Sequence, residues 1–356
     1  MEVDVLRTKD HIPSGESPVS ETAGERKEVS SGAAAGEEIF LEARHLSMLF
    51  PTGHGKGKQF IHAADDVSFT VPKGKTLGVV GESGCGKSTV GKMLMDLYHP
   101  TGGQIIYDGK DITHLSEKER RPYRKKMQLV WQDPYSSLDP RMRAGDIIME
   151  PMKNFGIGAD DHEREEKMLD LLSKCGLYPE HAAFYPHQFS GGQRQRICIA
   201  RALATEPEFV VLDEAVSALD VSVQAQIINL LKDLQDSLNL TYLFISHDLN
   251  IVHFISDEII VMYLGQIVER GTMESVYRER SHPYTQALFS ATPAFTKEEK
   301  EKKNRIILKG DIPSPVNPPA GCRFRGRCPY AGEQCAREPE WKTIGENHYV
   351  KCHRFD

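Results

Sequence analysis

The stretch GESGCGKST, Gly81 to Thr89, constrains this 356-residue chain more than any other. It fits G-x-x-x-x-G-K-[ST]. It follows the apolar run TLGVV and precedes the helical run VGKMLMDLY, the strand–loop–helix setting that the pattern needs. Gly81, Gly84 and Gly86 let the backbone turn tightly and aim its N–H groups inward. Ser83 and Cys85 add backbone to the same cradle, and the Cys85 thiol is incidental to it. Lys87 is placed to reach the β- and γ-phosphates of a nucleotide, Ser88 to ligate Mg²⁺, and Thr89 to bind a phosphate oxygen.

Downstream, FVVLDE supplies a matching half. Four apolar residues read as a buried strand ending in two carboxylates. Asp213 is expected to hold the Mg²⁺ shell through water. Glu214, one residue on, points elsewhere and is placed to act as a base toward an attacking water. Around these motifs, short β-like runs (DDVSFTV, KTLGVVG, MQLVWQ, LTYLFIS, EIIVMYLGQIVERG) alternate with helical patterns at Asp161–Cys175, Gly191–Ala204 and Val221–Ser237. That alternation predicts an α/β fold with a largely parallel sheet covered on both faces. The early runs lack helices between them and include the hairpin-like GGQIIYDGKDI, which suggests an added antiparallel β layer.

Bulk properties exclude several classes. The longest apolar runs fall far short of the roughly 18 residues of a spanning helix, so a membrane role must come through a partner. A net charge of −7 argues against a nucleic-acid surface. The first residues show no basic segment leading into an apolar one, so no secretory signal is expected and the seven cysteines are expected in a reducing cytosol. Residues 1–37, rich in Ser, Gly, Ala and Glu, read as a disordered tail. The mixed-charge run Thr296–Arg305 reads as a solvated helix or linker, and the Pro-rich GDIPSPVNPPAGC after it as extended chain.

FSGGQRQRICIARAL presents a second anion-binding feature, a serine and two glycines at the start of an amphipathic helix. The order GESGCGKST, WQDP, FSGGQ, VVLDEAVSALD, ISHD resembles the nucleotide-binding subunit of an ABC transporter over roughly Ile39 to Tyr284. The resemblance implies a P-loop NTPase cassette with a helical subdomain at about 133–205 and a domain spanning 38–284. It also implies two cassettes stacked head to tail, each ATP lying between the phosphate loop of one and the signature helix of the other. Ser190, Gly191, Gly192 and Gln193 would then serve the partner's ATP, and Asp220 in SALD would lie near the opposite site. Gln132, at the end of MQLVW, resembles the glutamine that touches Mg²⁺ or water and moves with the transmembrane partner. His247 resembles the histidine that contacts the γ-phosphate and positions the water. Phe50 is assigned to adenine stacking, with Phe60 as its rival because the intervening insertion blurs the alignment. Phe189 stands where many members have leucine.

The remaining segment, 285–356, reads as a small irregular extension holding Cys322, Cys328, Cys335 and Cys352 in the spacing C-x₅-C-x₆-C-x₁₆-C. No C-x₂-C pair occurs, so zinc does not follow automatically. GCRF, RCP and the final CH resemble the C-terminal region of oligopeptide and dipeptide importer ATPases. Some of these hold a [4Fe–4S] cluster on four thiolates; zinc is the alternative, and four unligated thiols a third reading. Cys175 and Cys198 lie in apolar helical patterns and read as core thiols. The resemblance implies the second ATPase subunit of a peptide importer at the cytoplasmic face of the membrane. Its implied partners are a similar ATPase, two permeases and, through them, an external peptide-binding protein. A nickel or other small-solute importer shares these motifs. A nucleic-acid ATPase would need tandem cassettes or a coiled-coil insertion, and a metal or redox sensor with a vestigial ATPase is the last alternative.

Overall fold

A computed structural model describes residues 38–53, 59–292 and 305–356. The expected tail 1–37 and nearly all of the charged run at 296–305 lie outside the described residues.

Two sheets organise the chain. Strands β1 (Ile39–Thr52) and β2 (Gln59–Pro72) pair antiparallel, and β4 (Gly102–Tyr107) and β5 (Lys110–Asp111) complete a four-stranded layer in the order β2-β1-β4-β5. This is the antiparallel layer expected from the early runs. The larger sheet has β3 (Thr76–Val80), β6 (Met127–Val130), β7 (Phe209–Asp213), β8 (Thr241–Ile245) and β9 (Glu258–Tyr263) in the parallel order β9-β3-β8-β7-β6. Every residue of β3, β7 and β8 is buried, as a sheet covered on both faces demands.

Side-chain alternation divides the apolar residues between two cores. Phe209 and Val211 of β7 join β1, β2 and helix α1 (Lys87–Leu94) in one. Val210 and Leu212 face the other, built with helices that include α3 (Ala144–Phe155), α4 (Asp161–Lys174), α5 (Gly191–Leu203) and α6 (Val221–Leu238). Short α2 (Glu117–Lys126) starts at a Ser116–Glu119 capping box. Helices α3 to α5 follow one another between residues 144 and 203. Strand β6 ends at Val130, so Gln132 lies beyond the strand rather than at its end.

The C-terminal segment is irregular over 305–340 apart from a short turn of 3-10 helix at Glu333–Ala336, and it ends in two strands. Strand β10 (Gln266–Thr272) turns back antiparallel on β9 and helix α8 (Met273–Glu279) packs on both; α7 (Leu249–Ile255) precedes β9 and packs on β3, and α9 (Pro283–Ala291) follows α8. Strands β11 (Trp341–Gly345) and β12 (His348–Lys351) then add to β10, giving one sheet in the order β11-β12-β10-β9-β3-β8-β7-β6. The expected boundary at 284/285 falls inside α9. Glu269 of β10, fully buried, fastens the junction. It accepts from the Ser281 and His282 backbone N–H groups at 2.8 and 2.9 Å and lies 2.8 Å from His348 Nε2. Several hydrogen bonds are what a buried carboxylate requires.

Candidate functional site

The parallel strands end level, with Asp213 beside Ile245 and Val79 also beside Ile245. Loops after β3, β7 and β8 therefore open onto one edge, where ligands of open α/β sheets collect. The phosphate loop leads from β3 to α1. Gly86, the N-cap of α1, has φ +106°, and a Cβ there would lie 2.1 Å from the Ala63 carbonyl oxygen. Only glycine satisfies both demands.

Lys87 is buried, and its Nζ donates to the carbonyls of Gly81 at 2.8 Å and Glu82 at 3.1 Å. A charged phosphate oxygen is a stronger acceptor than a carbonyl, so these bonds are exchangeable for a triphosphate. Ser88 Oγ donates to Asp213 Oδ1 at 2.7 Å. A hydroxyl beside a carboxylate is the hard oxygen set that Mg²⁺ takes alongside nucleotide phosphates. Burial lifts the Asp213 carboxyl above its ordinary range, and the Ser88 hydrogen bond works against that rise.

A second set gathers on Glu214. Its φ of +49° is rare for a non-glycine residue, and its N–H donates to the Ile245 carbonyl at 2.9 Å. Gln132 Nε2 donates to Glu214 Oε2 at 3.0 Å, and His247 Nδ1 lies 3.5 Å from the same oxygen. Gln132, Glu214 and His247, far apart in sequence, therefore meet in space.

Ser190, Gly191, Gly192, Gln193 and Asp220 behave differently. Ser190 caps α5: its Oγ accepts from Gln193 N at 3.3 Å, and Gln193 Oε1 accepts from Ser190 N at 3.0 Å. A Cβ on Gly192 would lie 2.4 Å from Val223 Cγ1, so that glycine also lets α5 approach α6. Asp220 caps α6, accepting from Val223 N at 3.0 Å and Ser222 Oγ at 2.7 Å. Those bonds, the Ser222 hydroxyl first, hold its carboxyl below the ordinary range. Among the described residues, neither the Ser190–Gln193 turn nor Asp220 hydrogen-bonds to the Lys87 or Glu214 groups. Phe50 is half-buried, its ring 5.1 Å from Tyr98 and edge-on, whereas Phe60 is 44% exposed across the strand pair from Pro51.

Two contacts to the loop have no counterpart in the sequence motifs. Glu82 N–H donates to the Tyr284 hydroxyl at 2.8 Å, and the Arg327 guanidinium grips the Glu82 carboxylate at 2.8 and 3.1 Å. Arg327 is 245 residues from Glu82, so no local pattern could reveal the pair.

Cys322, Cys328, Cys335 and Cys352 are free thiols that line one cavity together with His282 and Phe324. Burial, with a smaller contribution from the other three, pushes the Cys322 thiol up to about 11. Among the described residues, no group of three or more His, Cys, Asp or Glu side chains is placed to share one metal ion. Cys175 and Cys198 are buried in the helical core, and burial raises both, Cys175 to about 12.

The chain as a whole is similar to known proteins. Residues 64–217 match the family model described as ABC transporter. Oligopeptide transport ATP-binding protein AppF of Bacillus subtilis (strain 168) is 50% identical over 90% of this chain and 99% of its own length. The chain belongs to the ATP-binding proteins of ABC transporters. The dipeptide transport ATP-binding protein DppF of Escherichia coli (strain K12) is 45% identical to this cassette over 92% of the chain and 98% of its own length. Residues 268–335 match the model described as oligopeptide/dipeptide transporter, C-terminal region. Among solved structures, the ATP-binding cassette MJ0796, dimeric in a post-hydrolysis state with ADP and Pi, superposes with a TM-score of 0.59. It is 28% identical, covering 65% of this chain and 98% of that one. The cassette fold and ATPase class expected from the motifs are thus shown.

Proposed function

We propose that this chain is an ATPase subunit of an importer for oligopeptides or dipeptides. The observation that carries the substrate class is the C-terminal segment. It matches the peptide-transporter C-terminal region and is built into the same sheet as the cassette. No helix among the described residues is long and apolar enough to cross a membrane. Membrane attachment, at the cytoplasmic face, therefore comes through two permeases, and through them the external peptide-binding protein. The second cassette is a homologous ATPase subunit.

In this reading Lys87 leaves the Gly81 and Glu82 carbonyls for the β- and γ-phosphates, and Thr89 binds a phosphate oxygen. The phosphate-loop backbone from Gly81 to Gly86 cradles the triphosphate, and Phe50 stacks on adenine. Ser88, Asp213 and Gln132 are the residues that would hold Mg²⁺, which when bound would supply charge neutralisation on the phosphates. Glu214 takes a proton from the attacking water while His247 orients it and Gln132 reports the state of the permeases. The water oxygen joins the γ-phosphorus as the bond to ADP breaks. Ser190–Gln193 and Asp220 act on the partner's ATP, a role supported by their exposed helix starts and their separation from this chain's own loop.

The four thiols fit a metal group by donor chemistry: all are free and face one cavity. We assign them to a [4Fe–4S] cluster, with zinc as the alternative. The separate irons of a cluster ask less sulfur–sulfur proximity than one zinc ion does.

In cells lacking this chain, uptake of labelled di- and oligopeptides is expected to return with wild-type protein and not with Glu214→Gln. The purified variant should bind ATP, lose at least about 100-fold in turnover and accumulate as a closed dimer. Undiminished turnover would remove Glu214 as the base, and nickel uptake lost in place of peptide uptake would replace the substrate class.

A further inference from the structure

We infer that Arg327, carried by the cysteine-bearing extension, is a positioning residue of the nucleotide site, acting on the phosphate loop through Glu82. The inference rests on the reading of Gly81–Thr89 as the ATP cradle and adds to it a clamp from the other end of the chain.

Glu82 is held by all three of its polar groups. Its N–H donates to the Tyr284 hydroxyl at 2.8 Å. Its carbonyl accepts from Lys87 Nζ at 3.1 Å and from the Cys85 N–H at 3.2 Å. Its carboxylate takes both ends of the Arg327 guanidinium, Nη1 to Oε2 at 2.8 Å and Nη2 to Oε1 at 3.1 Å. The paired side chains are only 10% and 28% exposed, so solvent screens this pair less than a surface bridge. A two-pronged Arg–carboxylate pair also fixes orientation, which a point charge would not.

The supports behind the clamp are themselves held. Tyr284 is fully buried, its ring 4.7 Å from Tyr263 and 5.5 Å from Phe324. The Arg327 N–H donates to the Phe324 carbonyl at 2.9 Å, within the turn that runs from Cys322 to Cys328. Neighbouring Arg323 ties the same turn to the core through Asp65 and the Leu264 carbonyl.

The consequence follows from charge. Lys87 must leave the Glu82 carbonyl to meet a triphosphate, so its hold on Glu82 is released when ATP binds, while the local Cys85 N–H bond to that carbonyl stays. Arg327 and Tyr284 remain. Without Arg327, an uncompensated carboxylate would sit on the loop that receives a polyanion, and the pair that sets its direction would be gone. Arg327 touches neither nucleotide nor water in this account; it keeps the cradle in its receptive shape.

The test uses the full-length chain. Calorimetric ATP affinity and steady-state ATPase kinetics are compared for Arg327→Ala, Arg327→Lys, Glu82→Gln and the exchange of Glu82→Arg with Arg327→Glu, with melting temperature followed throughout. Arg327→Ala is expected to raise the ATP Kd and KM about tenfold, more than it lowers turnover at saturating ATP. Arg327→Lys should recover part of the loss. Arg327→Ala should add little in a Glu82→Gln background, and the charge exchange should restore more than either half alone. An Arg327→Ala Kd within twofold of wild type, or full additivity with Glu82→Gln, overturns the inference. Lys87→Ala separates the two readings. Weakened binding there with none in Arg327→Ala defeats the clamp alone, whereas unchanged binding in Lys87→Ala defeats the cradle itself.

Discussion

Gly86 shows how narrowly one residue limits the site. Its φ of +106° lies in a region that L side chains avoid, and the Ala63 carbonyl occupies the space of a Cβ at 2.1 Å. Replacing it by alanine must either rotate the backbone or push β2 away. Each route misdirects the N–H groups that precede Lys87. Gly86→Ala is expected to lose about 2 kcal/mol or more of stability and to abolish measurable ATP binding. Calorimetric titration beside a thermal melt checks both. Gly84, by contrast, has φ +78° with nothing near the Cβ position, so its constraint is conformational alone. The sequence pattern treats the two glycines alike, and only the surroundings distinguish them.

At the scale of elements, helix starts carry much of the design. α5 and α6 begin at Ser190 and Asp220, whose side chains cap backbone N–H groups while staying exposed. α9 begins at His282, and this cap is buried. His282 Nδ1 accepts from Tyr284 N at 3.1 Å, which requires that nitrogen to be unprotonated. Burial depresses the imidazole from 6.5 to about 4; the Glu269 carboxylate opposes that shift and Arg354 adds to it. A folded value below the unfolded one means the folded state binds fewer protons in the interval between them. The contribution of His282 is therefore complete above about pH 6.5 and is lost as pH falls toward about 4, amounting to at most about 3 kcal/mol. Melting temperature followed over that window should fall, and His282→Asn, which keeps a capping oxygen without a titrating ring, should flatten the fall. Since Tyr284 is one of the residues that hold Glu82, ATP affinity is expected to weaken over the same window.

The whole molecule sets the cysteine cavity next to the phosphate loop: Phe324 and Cys328 line the cavity, while Tyr284, packed on Phe324, and Arg327, beside Cys328, bond to Glu82. Strands β11 and β12 join the sheet whose strand ends lead to Lys87 and His247 and carry Asp213, and the 322–328 turn reaches back to Glu82. A metal group on four thiolates would therefore stabilise more than the tail. Anaerobically purified protein is expected to contain iron and acid-labile sulfide, and Cys322→Ser to lose both and to melt at lower temperature. Zinc without sulfide would transfer the site to zinc, and metal-free protein that melts no differently from Cys322→Ser would leave four thiols with no ligand.

Much of this was legible in the linear chain. Phosphate loops, strand-end carboxylates and helix caps depend on backbone geometry within a few residues, so GESGCGKST, FVVLDE and FSGGQ announce their local structure directly. The period of the apolar residues likewise located α4, α5 and α6 to within a residue or so. The membership of 341–351 in the main sheet was not legible, because β12 finds its partner β10 far back in the chain. Nor was the meeting of Arg327 with Glu82, and that of Gln132 with Glu214 followed only from the resemblance, which puts both beside the attacking water. Such pairs are set by strand order and by which loops share a sheet edge, and those are properties of the folded whole. The chain by itself determined which chemical groups are present and how each is locally presented. Tertiary structure alone decided which groups face one another, since contacts between distant segments form only after loop closure and burial select a single topology.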